Sequence, residues 1–349
     1  MRPVFLFAVF LLLVVPGYAQ QIEPNHTSSL ATRALSSSTF RRANAGSSND
    51  QFALAKAYAD GAGVAQDFSQ ALYWFGLAAN RGNAPAMNEL GRMLANGVGT
   101  APDDRQAFQW FLRAASEGYA PAQTNLGLMY FQGRSVQVDV DSAIHWWQQA
   151  AAKGEVYATT NLASAYLTGT GVRKDPAHAF ALLTAAAKSR LPAVAFSLGL
   201  CYDNGEGVAQ NFDQALRWYR MAADQGHPAA TTNLGLLYLE GHGVKADTIE
   251  ALRLFNLAAE RGNPRAFANL ANAYHLGQGV AADPVTAYMW VEIAGGSGEW
   301  VSAARKKLAA ELTPSEIQEA VRRAVAWRSL HSDVLHTQRS QFFHDKTSP

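Results

Sequence analysis

The stretch Asn233–Gly262, NLGLLYLEGHGVKADTIEALRLFNLAAERG, decides the reading of the chain, because shifted copies of it recur along most of the 349 residues. Glycine stands at positions 61, 97, 133, 169, 205, 241 and 277, each 36 residues after the last. Alanine keeps the same step from Ala71 to Ala287, and an Asp or Asn does so from Asp67 to Asp283. Seven copies fill roughly three quarters of the chain, which is the mark of a repeat array.

Within one copy, Leu234, Gly235 and Tyr238 share a helical face, and the helix, here called A, stops at Gly241. The loop residues Gly241, Gly243 and Val244 tolerate the positive φ at which a helix ends and turns back. Asp247 followed three residues on by Glu250 reads as a capping box that starts a second helix, B, and the spacing recurs at Asp67/Gln70, Asp103/Gln106 and Asn211/Gln214. Helix B carries Ala251, Leu254, Phe255, Ala258 and Ala259 on one apolar face. Helices of about 12 residues are marginal alone in water, so such hairpins are stable only when stacked on their neighbours. The residue after the repeated Leu is always Gly or Ala (55, 91, 127, 163, 199, 235, 271), which lets helix backbones approach closely. The expected source of bulk opposite it is the position shared by Trp74, Trp110, Trp146, Trp218 and Trp290.

The pattern Asn-Leu-Gly-x-x-Tyr, Gly-x-Gly-Val, Asp, Ala, Trp/Tyr-Phe, Ala-Ala resembles the Sel-one-like repeat, a 36-residue relative of the tetratricopeptide repeat, over about residues 48–312. The resemblance implies an all-α, right-handed α/α superhelical solenoid of seven helix-turn-helix repeats, the secreted or periplasmic bacterial type being the nearest in kind. Two departures are local: Gly133-Arg134-Ser135-Val136 lacks one loop glycine, and Arg190 stands where Gly154 or Gly226 would recur, with Leu182-Leu183 for the aromatics, so the middle of the array is expected to bend differently.

Met1–Ala19, with Arg2, an apolar run from Val4 to Val15 and Gly17-Tyr18-Ala19, reads as a secretory signal peptide too short to span a bilayer. Residues 20–48 read as a flexible leader, 49–312 as the solenoid, 313–330 as a capping helix with Thr313 as cap and Pro314 at its first position, and 331–349 as a flexible tail. The expected location is the periplasm or the exterior, with no membrane span in the mature chain. Without residues 1–19 the formal charge is zero, which gives no overall attraction to nucleic acid or anionic lipid. Cys201 is the single cysteine, so no intrachain disulfide is possible and a buried thiol is expected.

No nucleophile motif, zinc-protease motif or phosphate loop is present, and the repeated Asp is expected to be used by helix capping. The chain is therefore read as non-enzymatic, with no catalytic residue, metal or cofactor assigned. His242 and His275 lie 33 residues apart and could approach across neighbouring repeats; His331, His336 and His344 fall in the tail. Of Trp146 and Trp147, one is expected in the core and the other partly exposed; an exposed Trp147 would favour glycan binding.

By similarity to tetratricopeptide grooves, the helix A residues two before the Leu, just after the small residue, and shortly after the Tyr face a concave wall. They include Asn88, Arg92, Asn96, Thr124, Gln132, Thr160, Ser164, Thr168, Asn204, Thr232, Glu240 and Asn272. Their uncharged hydrogen-bonding side chains suit an extended peptide better than a phosphate polymer. Asn125, Asn161, Asn233 and Asn269 are assigned to inter-repeat hydrogen bonds. The resemblance implies an adaptor that holds a protein or peptide partner, with peptidoglycan or another glycan as the alternative ligand and a β-lactam-interacting enzyme as the remote one.

Overall fold

The structure, a computed structural model, describes residues 37–296 and 298–331. The signal-peptide reading and the tail histidines His336 and His344 fall outside the described residues. All regular structure among the described residues is helical, and compactness divides the chain into two units that meet in sequence between Leu182 and Leu183.

The first unit holds α1 (Ser37–Asn44), α2 (Ser48–Asp60), α3 (Phe68–Asn80), α4 (Ala84–Asn96), α5 (Asp104–Ser116), α6 (Ala120–Gln132), α7 (Val140–Ala152) and α8 (Val156–Thr168). Helix α9 (Pro176–Ala186) runs across the division and ends in a 3-10 turn at Ala187–Ser189. The second unit continues with α10 (Pro192–Asn204), α11 (Phe212–Asp224), α12 (Pro228–Glu240), α13 (Thr248–Glu260), α14 (Pro264–Leu276), α15 (Pro284–Ala294), α16 (Glu299–Ala309) and α17 (Pro314–Leu330). In each unit every helix packs on the next in chain order, the stacking of an α/α solenoid, except that α17 packs directly on α15.

Local chemistry sets the helix ends. Gly61, Gly97, Gly133, Gly169, Gly205, Gly241 and Gly277 take left-handed φ between 67° and 76° and close each helix A. Asp67, Asp103, Asp139, Asn211, Asp247 and Asp283 cap each following helix B through backbone N–H donors, and His178 N donates likewise to Asp175. The caps are one-sided, which corrects the capping-box reading. Gln106 Nε2 donates to the Asp103 carboxylate and Glu250 accepts from Arg253, so neither reaches back to the cap backbone. Among the described residues the reciprocal box forms at Thr313 and Glu316, with Pro314 in the first turn as expected. Ser135 and Arg190 adopt φ of 65° and 54°, so both departures keep the left-handed conformation of the missing glycines.

Close approach within each hairpin is made by a pair of positions twenty residues apart. A Cβ added at Gly91 would lie 2.8 Å from Phe111, one at Gly127 2.6 Å from Trp147, and one at Gly235 2.7 Å from Phe255. Phe75, Phe111, Trp147, Leu183, Tyr219, Phe255 and Val291 are the deeply buried series on helix B, so bulk comes from the residue after the repeated Trp position. Trp110, Trp146 and Trp218 are half-buried, and the expectation that this series fills the space opposite the small residue is corrected by one position.

Close approach between repeats falls on the second loop glycine. A Cβ at Gly99 would meet Phe68 backbone carbon and oxygen at 2.9 Å, and one at Gly243 would meet the same atoms of Phe212 at 2.7 Å. Gly171 and Gly279 abut Val140 and Thr248, which occupy the same register at the start of the preceding helix B. Where this glycine is Ser135, the neighbouring Arg134 binds Asp104 and donates to Ala95 O at 2.7 Å, tying the loop to the previous repeat.

Helix α1 lies inside the stretch read as a flexible leader. Ala43 is fully buried, Phe40 packs on the same core, Arg42 binds Asp50 at 2.7 Å and Gln51 Nε2 donates to Ala43 O at 3.0 Å. Ala43 and Gly46 precede Ala79 and Gly82 by one repeat length, so α1 is a truncated helix B that shields the first hairpin.

Two measurements test this packing. Gly235→Ala is expected to cost about 1–3 kcal/mol through overpacking, and adding Phe255→Leu is expected to restore part of it, since Ala163 and Leu183 hold these positions in the fourth repeat. Additive urea midpoints for the pair would contradict the contact. Gly82 and Gly99 both have positive φ, at 83° and 74°, but a Cβ at Gly82 meets nothing. Gly82→Ala should therefore cost about 1–2 kcal/mol and Gly99→Ala clearly more; equal costs would remove the inter-repeat role of Gly99.

Candidate binding surface

A helix A turns 100° per residue, so the face opposite its buried Leu carries the residues two before and two after that Leu, together with those further along at helical spacing. On α12 the buried side holds Ala230, Leu234 and Leu237, and the opposite side Thr232, Leu236, Leu239 and Glu240. The structure places the expected wall residues unequally. Asn88, Thr124, Thr160 and Thr232 are almost completely buried. Thr124 Oγ1 donates to Ala120 O at 3.2 Å and lies 2.8 Å from Glu155 Oε2. Thr160 and Thr232 donate to Val156 O and Pro228 O at 2.9 and 3.2 Å. These four are part of the wall's interior. Arg92, Ser164 and Thr168 are part-exposed; Asn96, Gln132, Asn204, Glu240 and Asn272 are open to solvent.

The buried polar residues form short chains. Asn125 Nδ2 donates to Asn88 Oδ1 at 2.9 Å, Asn88 Nδ2 to Glu89 Oε1 at 3.2 Å, and Arg92 Nη1 to the same oxygen at 3.1 Å. Burial, then the Glu89 carboxylate, hold the Tyr119 phenol above its ordinary pKa; burial and Glu155 do so for Tyr157. In the second unit Asn233 Nδ2 donates to the Tyr219 hydroxyl at 3.1 Å, which donates to Asp203 Oδ2 at 3.0 Å. Burial, with Asp203 alongside, keeps that phenol well above its usual range. Asn125 and Asn233 thus make the inter-repeat bonds expected of their position; Asn161 is fully buried and Asn269 half-buried.

The Cys201 thiol is buried, and desolvation, helped by Glu206, pushes its pKa up to about 12, so it stays protonated. His242 stacks on Phe212 with ring centres 4.3 Å apart and pairs with Glu240, whereas His275 pairs with Glu311. The two histidines are committed to different partners. Among the described residues no group of three His, Cys, Asp or Glu is placed to hold a metal ion, and no helix is long and apolar enough to cross a membrane. His331, expected in a mobile tail, stacks on Trp327 at 4.0 Å. Trp147 is fully buried, donating from Nε1 to Thr124 O at 3.2 Å, so the partly exposed indole of that pair is Trp146.

One histidine was overlooked in the sequence. His227 precedes α12, where its Nδ1 accepts from Ala230 N at 3.2 Å, and its ring stacks on Phe196 at 4.6 Å. It fills the cap position held by Asn83 before α4 and Asn263 before α14, and that register was the available signal.

These features define the class: a tetratricopeptide-like α/α solenoid that offers a helix-lined surface. The Sel1 repeat profile matches residues 48–83, 84–119, 120–155, 156–190, 192–227, 228–263 and 264–298, and the chain belongs to the Sel1 repeat family. Among solved structures it is similar to a Sel1 repeat protein from Oxalobacter formigenes, with 28% identity, TM-score 0.64, and coverage of 72% of this chain and 97% of that one. It is also similar to a protective antigen with an SLR fold present in uropathogenic Escherichia coli strains, with 26% identity, TM-score 0.52, and coverage of 89% of this chain and 75% of that one. No curated protein sequence matches the chain. Sel1 repeat proteins generally serve as non-enzymatic scaffolds for protein–protein interaction.

The cap at His227 gives a pH test. Burial lowers its pKa from 6.5 to about 4, favouring the neutral ring that accepts the bond. Because the folded value lies below the unfolded one, its contribution is complete above about pH 6.5 and is lost as pH falls toward 4. Between pH 7 and 4.5 this amounts to ~2 kcal/mol. His227→Asn, which caps without titrating, should flatten that part of the stability profile; identical slopes in urea titrations would exclude the cap as its origin.

Proposed function

We propose that this protein is a non-enzymatic adaptor of the bacterial cell envelope or secreted space that holds a protein or peptide partner along the exposed helix A residues. The observation that carries the reading is that in the first unit Asn88, Asn125 and Thr124 are bonded within the fold while Arg92, Asn96, Gln132, Ser164 and Thr168 keep solvent access, and that in the second unit Asn204, Glu240 and Asn272 keep it likewise. A prearranged surface of this kind loses little entropy on binding. The compartment is inferred from the leader Met1–Ala19. Peptidoglycan is the weaker ligand, since Trp147, the aromatic that would have stacked on a sugar, lies in the core.

Co-purification from envelope and culture fractions tests this. The chain is expected without residues 1–19 and with specific partners, which a combined Arg92→Ala, Gln132→Ala and Glu240→Ala variant of unchanged helicity loses. The same partners on both proteins would refute the wall assignment, and an unprocessed cytosolic chain would refute the location.

A further inference from the structure

In the second unit α10, α12 and α14 lie side by side, and residues 36 apart fall at the same height. Leu236 is therefore flanked by Leu200 and Asn272, Leu239 by Asp203 and His275, and Glu240 by Asn204 and Leu276. Leu200, Leu236 and Leu239 are part-exposed and Leu276 is 62% exposed, so this face carries a leucine strip. The first-unit row in register with Leu200 and Leu236 reads Lys56, Arg92, Leu128 and Ser164, with its leucine buried, and the row in register with Leu239 reads Ala59, Ala95, Phe131 and Leu167. The first of these rows is polar and cationic where the second unit places Leu200 and Leu236.

Beside the leucine strip the charges are acidic. Glu240 and Glu311 keep side-chain exposures of 50% and 40% beside His242 and His275, at 3.0 and 3.1 Å. Asp203 is turned to the Tyr219 hydroxyl. The face is an apolar strip with the part-exposed carboxylates of Glu240 and Glu311 along its edge, which opposes acidic ligands and attracts cationic ones.

We propose that this face takes a short, cationic amphipathic peptide segment of a partner protein, with apolar side chains on Leu200, Leu236 and Leu239 and Lys or Arg groups on Glu240 and Glu311. The proposal rests on the adaptor reading and names the partner chemistry for half of the wall. Helix-in-groove recognition of this type anchors a few apolar residues at helical spacing and sets orientation with flanking charge.

The test titrates the full chain with fluorescent peptides of about 14 residues: an amphipathic Leu/Lys sequence, its Leu/Glu counterpart and a scrambled Leu/Lys control, read by anisotropy at about 150 mM salt. The Leu/Lys peptide should bind and the other two should not. Glu240→Lys, at a solvent-exposed site, and Leu236→Asn should each weaken binding about tenfold, while Arg105→Glu, on an exposed helix B position of the first unit, leaves it unchanged. Equal binding of the scrambled or acidic peptide, indifference to Glu240→Lys, or no binding would overturn the proposal. Partners that still co-purify through the wall after such a failure would leave the adaptor reading standing; a chain that captures nothing would remove both.

Discussion

The structure depends on how closely two short helices can approach. Each helix A is 13 residues long, near the limit at which an isolated helix survives in water, so its stability must come from packing. The packing is concentrated where a Gly or Ala on helix A receives the ring or branched side chain buried on helix B. A fully buried side chain of that size contributes roughly 1.5–3 kcal/mol, and it is available only if the opposing backbone carries no larger group. Gly stands opposite Phe111, Trp147, Tyr219 and Phe255, whereas Ala shares its repeat with Leu183 and Val291, the two smallest of the series, and with Phe75. The loop Gly-x-Gly then separates two tasks. Its first glycine ends helix A and its second admits the start of the preceding helix B.

That geometry leaves backbone carbonyls at the helix B C-termini facing the next repeat, and polar side chains meet them. Gln51 and Gln123 donate to Ala43 O and Ala115 O, and Arg261 to Ala223 O and the Thr231 hydroxyl. Ala43 O, Ala115 O and Ala223 O also accept from Gly46 N, Gly118 N and Gly226 N, so the side chains add a second donor that ties each helix end to the following repeat. Buried asparagines and threonines on the wall face follow the same logic, so polarity there is in part structural.

This explains what could be read from the chain and what could not. Period, turn residues and caps are local, and they located the seven hairpins and their ends. Facing is not local to the same degree. Adjacent residues on a helix point 100° apart, and two aromatic neighbours such as Trp146 and Trp147 both satisfy the pattern, so only the packed neighbour, Gly127, distinguishes them. Asn88 and Asn96 are equally polar in sequence, yet the first is enclosed by Asn125 and the second is open. Helix α1 was hidden for a different reason: one truncated copy has too few positions to show a period, although Ala43 and Gly46 keep the register.

A repeat array separates residues that hold the stack from residues free to differ. The small, aromatic, capping and loop positions are occupied by the packing just described. Wall positions carry no such obligation, and here they differ by unit: Lys56, Arg92 and Ser164 in one, Leu200, Leu236 and Asn272 in the other. If the wall were merely solvated, charged and polar side chains would serve equally well in both units, and part-exposed leucines beside Glu240 would bring only a risk of nonspecific association. Leucine at such sites gains free energy when a partner covers it. The apolar, acid-edged stretch of the second unit discriminates among ligands by what it rejects as well as by what it holds.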